Sequence, residues 1–201
     1  KELIVYPDPQ RGWFAPARAK GLELLRHGKF DAIISTSPPE TTHLIARSLK
    51  SQTGVPWIAD LRDLWSGCHF ARRGLFAQGV TGRMEKVVLK DADVITTVSG
   101  AWADALASSI GCAREKIQVV TNGFDDADFE GIAARPREKF TLTYTGKLHK
   151  DKQDPEVFFA ALSRCITEGH IDRKRISVDF YVMGFQKADI AAIAARHGLA
   201  D

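Results

Sequence analysis

Cysteine is scarce in this sequence, and its placement is informative. Cys68, Cys112 and Cys165 are odd in number and far apart, and no C-x-x-C motif or cysteine–histidine pair has the spacing of a zinc site. This pattern argues against a disulfide framework and predicts small buried hydrophobic side chains in a reducing compartment. We therefore expect a cytoplasmic protein without a structural zinc ion.

Long apolar segments and common nucleotide-binding motifs are also missing. No run of about 18 apolar residues occurs, so no segment is predicted to span a membrane. The first residues lack the pattern of a signal peptide, and the sequence has no Walker loop, G-x-G-x-x-G, G-x-S-x-G or H-E-x-x-H motif. Because it starts on Lys1 rather than methionine, we expect a piece of a longer protein.

Charge is nearly balanced, and the composition is that of a globular protein. The formal net charge is +3 and the sequence pI about 8.8, and no basic stripe is interleaved with aromatic residues. We therefore predict no nucleic-acid partner. With 201 residues, 44% of them hydrophobic, the chain can build the core of one large domain or two small ones.

Predicted strands and helices alternate along the chain, which is typical of parallel βαβ units with helices on both faces. A polar stretch interrupts the alternation and predicts a linker. We therefore predict an α/β protein with two Rossmann-like parallel-sheet domains, both incomplete. The N-terminal domain is predicted over residues 1–130 without its first strands, the linker over 131–139, and the start of the C-terminal domain over 140–201.

Two details of this prediction concern burial. The strand over residues 30–35 is apolar enough to be covered on both faces. The helix over residues 80–90 is predicted to turn Val80, Met84, Val87 and Val88 inward.

Polar, charged and glycine residues follow the predicted strands, where parallel sheets bind ligands. Asp60 and Arg62 share a side if their strand continues, so they are predicted to pair, and Arg62 is suited to a phosphate or a leaving-group charge. The alternative is a structural Asp–Arg–Asp network that includes Asp63. Asn122–Gly123 predicts a turn with positive φ and a hinge that faces the cleft, and Ser99 also follows a strand.

The stretch from Phe140 to Glu156 combines a strand, the turn residue Gly146, three lysines and a helix that begins near Pro155. Backbone N–H groups at the turn, the helix dipole and lysine charge together favour a polyanion, and phosphate above all. The three lysines are Lys147, Lys150 and Lys152. The alternative is an ordinary strand-to-helix loop with solvated lysines.

The D-x-D pattern at Asp91–Asp93 resembles a metal-binding motif of some sugar transferases. It lies between a helix and the start of a strand, at the wrong end of the sheet, so we predict no metal there.

Four segments, in order along the chain, resemble the retaining GT-B glycosyltransferases of the family 4 type. They are SPP with HL over residues 37–44, PWIADLRDLW over 56–65, DADVITTVS over 91–99 followed by VVTNGFD over 119–125, and YTGK over 144–147. The resemblance implies two Rossmann-like domains across a cleft, with the acceptor on the N-terminal side and a nucleotide-sugar donor on the C-terminal side. It also implies that no metal or other cofactor is needed.

The resemblance assigns roles to residues of this sequence. Asp60, Arg62 and Asp63 fall at the catalytic position, where relatives often have histidine. Gly146 and Lys147 fall at the donor-diphosphate position, where relatives usually have arginine after the glycine. A lysine there neutralises charge but cannot bind two oxygens in a planar fork. A second cation maps to Lys152 or, as the alternative, Lys150; Ser99, Asn122 and Gly123 line the cleft.

The function implied is transfer of a sugar, with retention, from a nucleotide-diphosphate donor to a glycan or lipid-linked acceptor, in cell-surface polysaccharide synthesis. The alternative is a non-catalytic sugar-nucleotide or partner-binding protein on the same fold. Apolar residues flanked by cations over residues 70–90 also predict a peripheral contact with an anionic membrane, against the alternative of an ordinary loop and packed helix.

Overall fold

The computed structural model describes residues 6–67, 74–133, 136–148, 153–183 and 187–200. The chain divides into two compact units, residues 1–125 and residues 126–201. The predicted linker over residues 131–139 begins inside the second unit. The domain limits 1–130 and 140–201 stay predictions.

Unit 1 alternates helices and strands, and its four strands form one sheet in the order β1-β2-β3-β4 with every neighbouring pair parallel. The predicted parallel α/β architecture is thus confirmed. The elements are α1 (Phe14–His27), β1 (Ile33–Ser37), α2 (Thr41–Thr53), β2 (Trp57–Leu61), α3 (Leu75–Leu89), β3 (Val94–Thr97), α4 (Gly100–Ile110) and β4 (Ile117–Val119).

A distant aspartate and a local glycine mark the two ends of α2. The carboxylate of Asp8 accepts hydrogen bonds from the backbone N–H of Thr41 at 2.7 Å and from its hydroxyl, so a residue before α1 satisfies the first turn of α2. Gly54 ends the helix with a φ of 73°, a left-handed conformation that glycine adopts without steric cost. The predicted glycine stop is confirmed.

The core of unit 1 lies on one face of the sheet. Alternate strand residues such as Trp57, Ala59, Leu61 and Ile95 are buried there against the helices. The opposite face is more open, and Ile34 of β1 is 67% exposed. The expectation that the first strand is covered on both faces is therefore wrong. Among the described strands β1 lies at one edge of the sheet, and α1 packs on α2.

Helix α3 also differs from its predicted orientation. Val88, expected to point inward, is buried as predicted. Val80 and Val87, expected on the same side, are exposed, and the polar residues Thr81 and Glu85 are buried instead. Positions 81, 85 and 88 form one helical face with a polar residue at two of its three places. Apolar periodicity missed this face because it weighs hydrophobic residues alone.

Unit 2 is smaller, with a parallel pair of strands and two helices that pack on each other. Its elements are β5 (Phe140–Lys147), α5 (Pro155–Thr167), β6 (Ile176–Met183) and α6 (Lys187–Arg196). Its core holds Phe159, Ile193 and Ala194, with Phe158 and Phe180 packed against them. Strand β5 includes Gly146 and Lys147, which were predicted to follow the strand rather than to belong to it.

No helix within the described ranges is both long and apolar enough to cross a membrane. Two of the three cysteines, Cys112 and Cys165, are half-buried and unbonded rather than fully buried. Cys68 lies outside the described residues.

Candidate functional site

The carboxyl ends of β1, β2 and β3 meet at one level of the unit 1 sheet. Ser37 pairs with Leu61, and Leu61 pairs with Thr97, so the segments that follow these strands leave the same edge. The loop after β2, residues 62–66, carries the candidate residues Arg62 and Asp63. Parallel α/β sheets bind ligands at this edge.

Asp60, the penultimate residue of β2, is held by the neighbouring strand. Its carboxylate accepts a hydrogen bond of 2.7 Å from the hydroxyl of Thr96 on β3. No ion pair between Asp60 and Arg62 is found among the described residues, so the predicted pairing is wrong. The physical reason is that Asp60 already has a partner within the sheet and Arg62 leaves the strand after Leu61.

Arg62 connects two loops at this edge. Its backbone N–H donates to the carbonyl of Ser37 at 3.2 Å, which continues the β1–β2 pairing by one residue. Its guanidinium donates to the side-chain oxygen of Asn122, which follows β4. Asp63, the next residue, is exposed. A cation fixed by an amide and an anion open to solvent therefore lie at adjacent positions.

The remaining candidates at this edge have simpler surroundings. The hydroxyl of Ser99 accepts from the backbone N–H of Trp102 at 3.3 Å and caps α4, a structural role. Gly123 does not adopt a positive φ, so the predicted Asn122–Gly123 turn is wrong. Residues 120–125 leave β4 without a turn and without regular structure, with Asn122 turned to Arg62.

Beneath the edge lies a buried histidine to which sequence reasoning assigned no role. His43 of α2 bonds through Nδ1 to the hydroxyl of Ser35 at 2.7 Å, and the indole N–H of Trp57 donates to the same hydroxyl at 2.8 Å. Trp57 and Trp65 flank the ring, with centroids 6.2 and 6.3 Å away. Within the described residues, Nε2 of His43 and Nε1 of Trp65 have no hydrogen-bond partner.

Burial sets the charge of this histidine. Desolvation lowers the pKa of His43 from 6.5 to about 4, against the opposing attraction of the Asp60 carboxylate. His43 is therefore neutral at physiological pH. The only sequence signal for it was its place in the segment 37–44, since a histidine on a helix gives no sign of burial.

Unit 2 has its own polar strand end. Gly146 has a φ of 142°, a conformation that side chains rarely adopt, and Lys147 after it is exposed. Asp154 caps α5 by accepting from the backbone N–H of Glu156 at 2.9 Å. Lys150 and Lys152 lie outside the described residues.

A pocket of about 380 Å³ lies between strands β5 and β6 and the start of α5. Its walls combine aromatic and aliphatic side chains with Thr143, Gln153 and Asp154. A flat apolar group with a polar edge fits such a lining.

The family model described as "Glycosyl transferase 4-like domain" matches residues 3–123, which is more than half of the chain. The chain belongs to this glycosyl transferase 4-like family. No curated protein sequence matches it.

Two solved structures extend the likeness of this glycosyl transferase 4-like chain into unit 2. HepE from Anabaena, solved in complex with UDP and glucose, aligns with a TM-score of 0.63 at 16% identity, over 92% of this chain and 49% of its own. A structure titled accessory secretory protein 1, 2 and 3 of Streptococcus pneumoniae aligns with a TM-score of 0.54 at 12% identity, over 92% and 34%. At these identities the likeness establishes the GT-B fold. The chain spans about half the length of HepE.

For this glycosyl transferase 4-like chain the D-x-D carboxylates have structural partners. Arg47 of α2 pairs with Asp91 at 2.6 Å, and Lys50 pairs with Asp93 at 2.6 Å. Asp93 also accepts from the backbone N–H of Trp57, and these contacts hold its pKa below the usual value. In the part of the chain that the structure describes, no group of three histidine, cysteine or acidic residues is arranged to hold a metal.

Proposed function

We propose that this chain is part of a glycosyltransferase that moves a sugar, with retention, from a nucleotide-diphosphate donor to a glycan or lipid-linked acceptor. The proposed setting is the cytoplasm, in the synthesis of cell-surface polysaccharide. Membership of the glycosyl transferase 4-like family supports the reaction class. The contact between Arg62 and Asn122 carries the proposal for this chain, because it fixes a cation at the ligand-binding edge of the sheet.

Unit 1 supplies the proposed acceptor side. Arg62 is placed to stabilise negative charge that develops on the departing diphosphate or on the acceptor, and Asp63 shapes the acceptor side. Asp60 keeps the end of β2 in register through Thr96. Asn122 orients the guanidinium of Arg62, and Ser99 and Gly123 belong to the proposed cleft lining.

Unit 2 supplies the proposed donor side. Gly146 brings the backbone close to the diphosphate, and the exposed ammonium of Lys147 neutralises its charge. Lys152 is proposed as the second cation. The proposal needs no metal, because lysines and backbone N–H groups provide the positive charge. The UDP in the HepE structure makes UDP the first nucleotide to test.

The test is calorimetric titration of UDP into the intact protein and its variants at fixed ionic strength, because such contacts are screened by salt. A charge-assisted contact contributes about 1.5–3 kcal/mol, so Lys147→Ala is expected to weaken UDP binding at least about tenfold. Lys147→Arg should bind like the original protein, since arginine is usual there in relatives.

Lys150→Ala is the matched control and should bind UDP as the original protein does, whereas Lys152→Ala should weaken it. If Lys147→Ala and Lys152→Ala bind UDP normally, the lysines are solvated and the donor assignment fails. Binding without any sugar transfer from UDP-sugars would instead favour the non-catalytic alternative.

A membrane contact is the second element of the proposal. Phe76 of α3 is 78% exposed, and Val80, Arg83, Val87 and Lys90 follow it along the same helical face, all exposed. Apolar and cationic residues on one exposed face suit an anionic bilayer surface, where a lipid-linked acceptor would lie. Residues 70–73 of the predicted contact lie outside the described residues.

Sedimentation with vesicles tests this contact. Binding to vesicles that contain anionic lipid should exceed binding to neutral vesicles, and Phe76→Ser should weaken binding to the anionic vesicles. Equal partitioning into both vesicle types would leave α3 as an ordinary packed helix.

A further inference from the structure

Glu85 is a buried acid in an otherwise acid-free helix. It is the one acidic residue of α3, and its side chain is 1% exposed. Burying an ionised carboxylate is costly unless hydrogen bonds satisfy it. Its two oxygens accept from the backbone N–H of Ser66, at 3.4 Å, and from the hydroxyl of Ser66. One side chain of α3 therefore holds both the backbone and the side chain of a loop residue.

The same face of α3 approaches the loop closely at a second point. A Cβ added to Gly82 would lie 4.0 Å from the Cβ of Ser66. Gly82 and Glu85 are three positions apart and so lie on one side of the helix. At Gly82 the helix therefore lies within ordinary contact distance of the loop, and the carboxylate one turn later binds it.

Ser66 lies in the same loop as the candidate catalytic residues Arg62 and Asp63. At the start of the loop, Arg62 is bonded through its backbone to Ser37. Near the end, the buried side chain of Trp65 packs beside His43. The loop has no helix or strand of its own, so these anchors and Glu85 define its shape.

We propose that Glu85 is a positioning residue for the loop 62–66 and, through it, for Arg62 and Asp63. The inference rests on the proposed function insofar as it concerns catalysis. Without the carboxylate, two donors of Ser66 lose a buried acceptor and the loop relaxes away from α3. A displacement of about 1 Å in a catalytic group can cost about 100-fold in rate.

Kinetics of sugar transfer by the intact protein give the first test. Glu85→Ala should lower kcat at least about tenfold but should weaken UDP binding less than Lys147→Ala does, because the proposed contact of Lys147 lies in unit 2. Glu85→Gln keeps one carbonyl oxygen as acceptor and should recover part of kcat. Gln78→Ala, at an exposed position of the same helix, is the control and should leave kcat unchanged.

A double-mutant cycle separates positioning from a general loss of stability. Ser66→Ala should lower kcat less than Glu85→Ala does, and the double variant should lose less than the product of the two single effects. Independent, multiplicative effects would overturn the proposal. Ser66→Ala and Glu85→Gln remain informative if Glu85→Ala does not fold.

Hydrogen–deuterium exchange tests the same contact without relying on any activity. Exchange of the backbone amides of residues 61–67 should speed up in Glu85→Gln and Glu85→Ala, while the amides of α4 stay unchanged. Unchanged exchange in residues 61–67 overturns the proposal even in an active enzyme. Faster loop exchange in a protein that transfers no sugar would confirm the positioning role and reject the proposed function alone.

Discussion

The two units bury their polar groups very differently. In the described part of the chain, every buried polar or charged side chain lies in unit 1. These residues are Asp8, Ser35, Ser37, Thr41, His43, Thr81, Glu85 and Thr97. Unit 2 has an apolar core, and its candidate residue Lys147 stands exposed at a strand end.

The candidate residues at the strand ends of the two units are held in different ways. In unit 1, buried polar side chains hold the loop of the candidate residues by hydrogen bonds, as Glu85 does with Ser66. Unit 2 relies on backbone conformation at Gly146 and on mobile lysine charge. Geometry is therefore specified closely where Arg62 lies, and charge is supplied more loosely where Lys147 lies.

The largest expected difference between the units is in their cores. Leu106 of α4 is 1% exposed and Leu162 of α5 is 7% exposed. Leu106→Ala should lower the free energy of unfolding by about 3–5 kcal/mol, because it leaves a cavity in a closed core. Leu162→Ala should cost about 1 kcal/mol less, because the smaller core of unit 2 can collapse around the gap.

Denaturant titration followed by circular dichroism measures both variants. All four tryptophans lie in unit 1, so tryptophan fluorescence checks that Leu106→Ala acts there. If Leu106→Ala and Leu162→Ala lower the free energy of unfolding equally, the proposed difference between the cores of the two units is wrong.

The next effect is a pH dependence that belongs to unit 1. The pKa of His43 is about 4 in the folded protein and 6.5 ordinarily, so the unfolded chain takes up the proton first as the pH falls. The neutral imidazole of His43 therefore contributes its full stabilisation above pH 6.5. This contribution is lost as the pH falls from 6.5 to 4, a change of about 3 kcal/mol in the free energy of unfolding.

His43→Gln cannot titrate and should flatten the stability curve over this range. His170 of unit 2 is exposed and lies 3.3 Å from Glu168, so His170→Gln is the comparison variant for a surface histidine. Chemical denaturation at several pH values measures the slope. An unaltered slope in His43→Gln would mean that the imidazole is not the titrating group.

The smallest effect compares two helix caps. Asp8 is buried and accepts from Thr41 and Gln10, whereas Asp154 caps α5 at the surface through one bond to Glu156. Asp8→Ala should cost about 1–2 kcal/mol and Asp154→Ala about 0.5–1 kcal/mol. Thermal unfolding ranks the two, and a larger loss for Asp154→Ala would contradict the contrast between the units.

Sequence reasoning predicted the alternation of strands and helices, the parallel sheets and the glycine stop at Gly54 because these depend on local periodicity and backbone preference. It also brought Arg62 and Asn122 to one edge, since parallel strands end together. It failed where a polar side chain occupies a buried position, as with Glu85 on α3 and His43 on α2. Only three-dimensional contacts reveal the partners that make such burial tolerable.

The predicted pair of Asp60 with Arg62 and the predicted turn at Asn122–Gly123 were wrong for a related reason. Asp60 pairs with Thr96, which is 36 positions away in sequence, and Asn122 contacts Arg62, which is 60 positions away. Neither partner can be chosen from neighbouring residues alone.

The bond between Asp8 and Thr41 has a consequence for the order of folding. The two residues are 33 positions apart, so closing this contact restricts a long segment that contains α1 and β1. Helix α2 can form its first turns earlier, but its leading N–H groups gain their carboxylate only after α1 has folded back onto it. The contact between Asp8 and Thr41 is therefore expected to form late in folding, after α1, β1 and α2 have packed together.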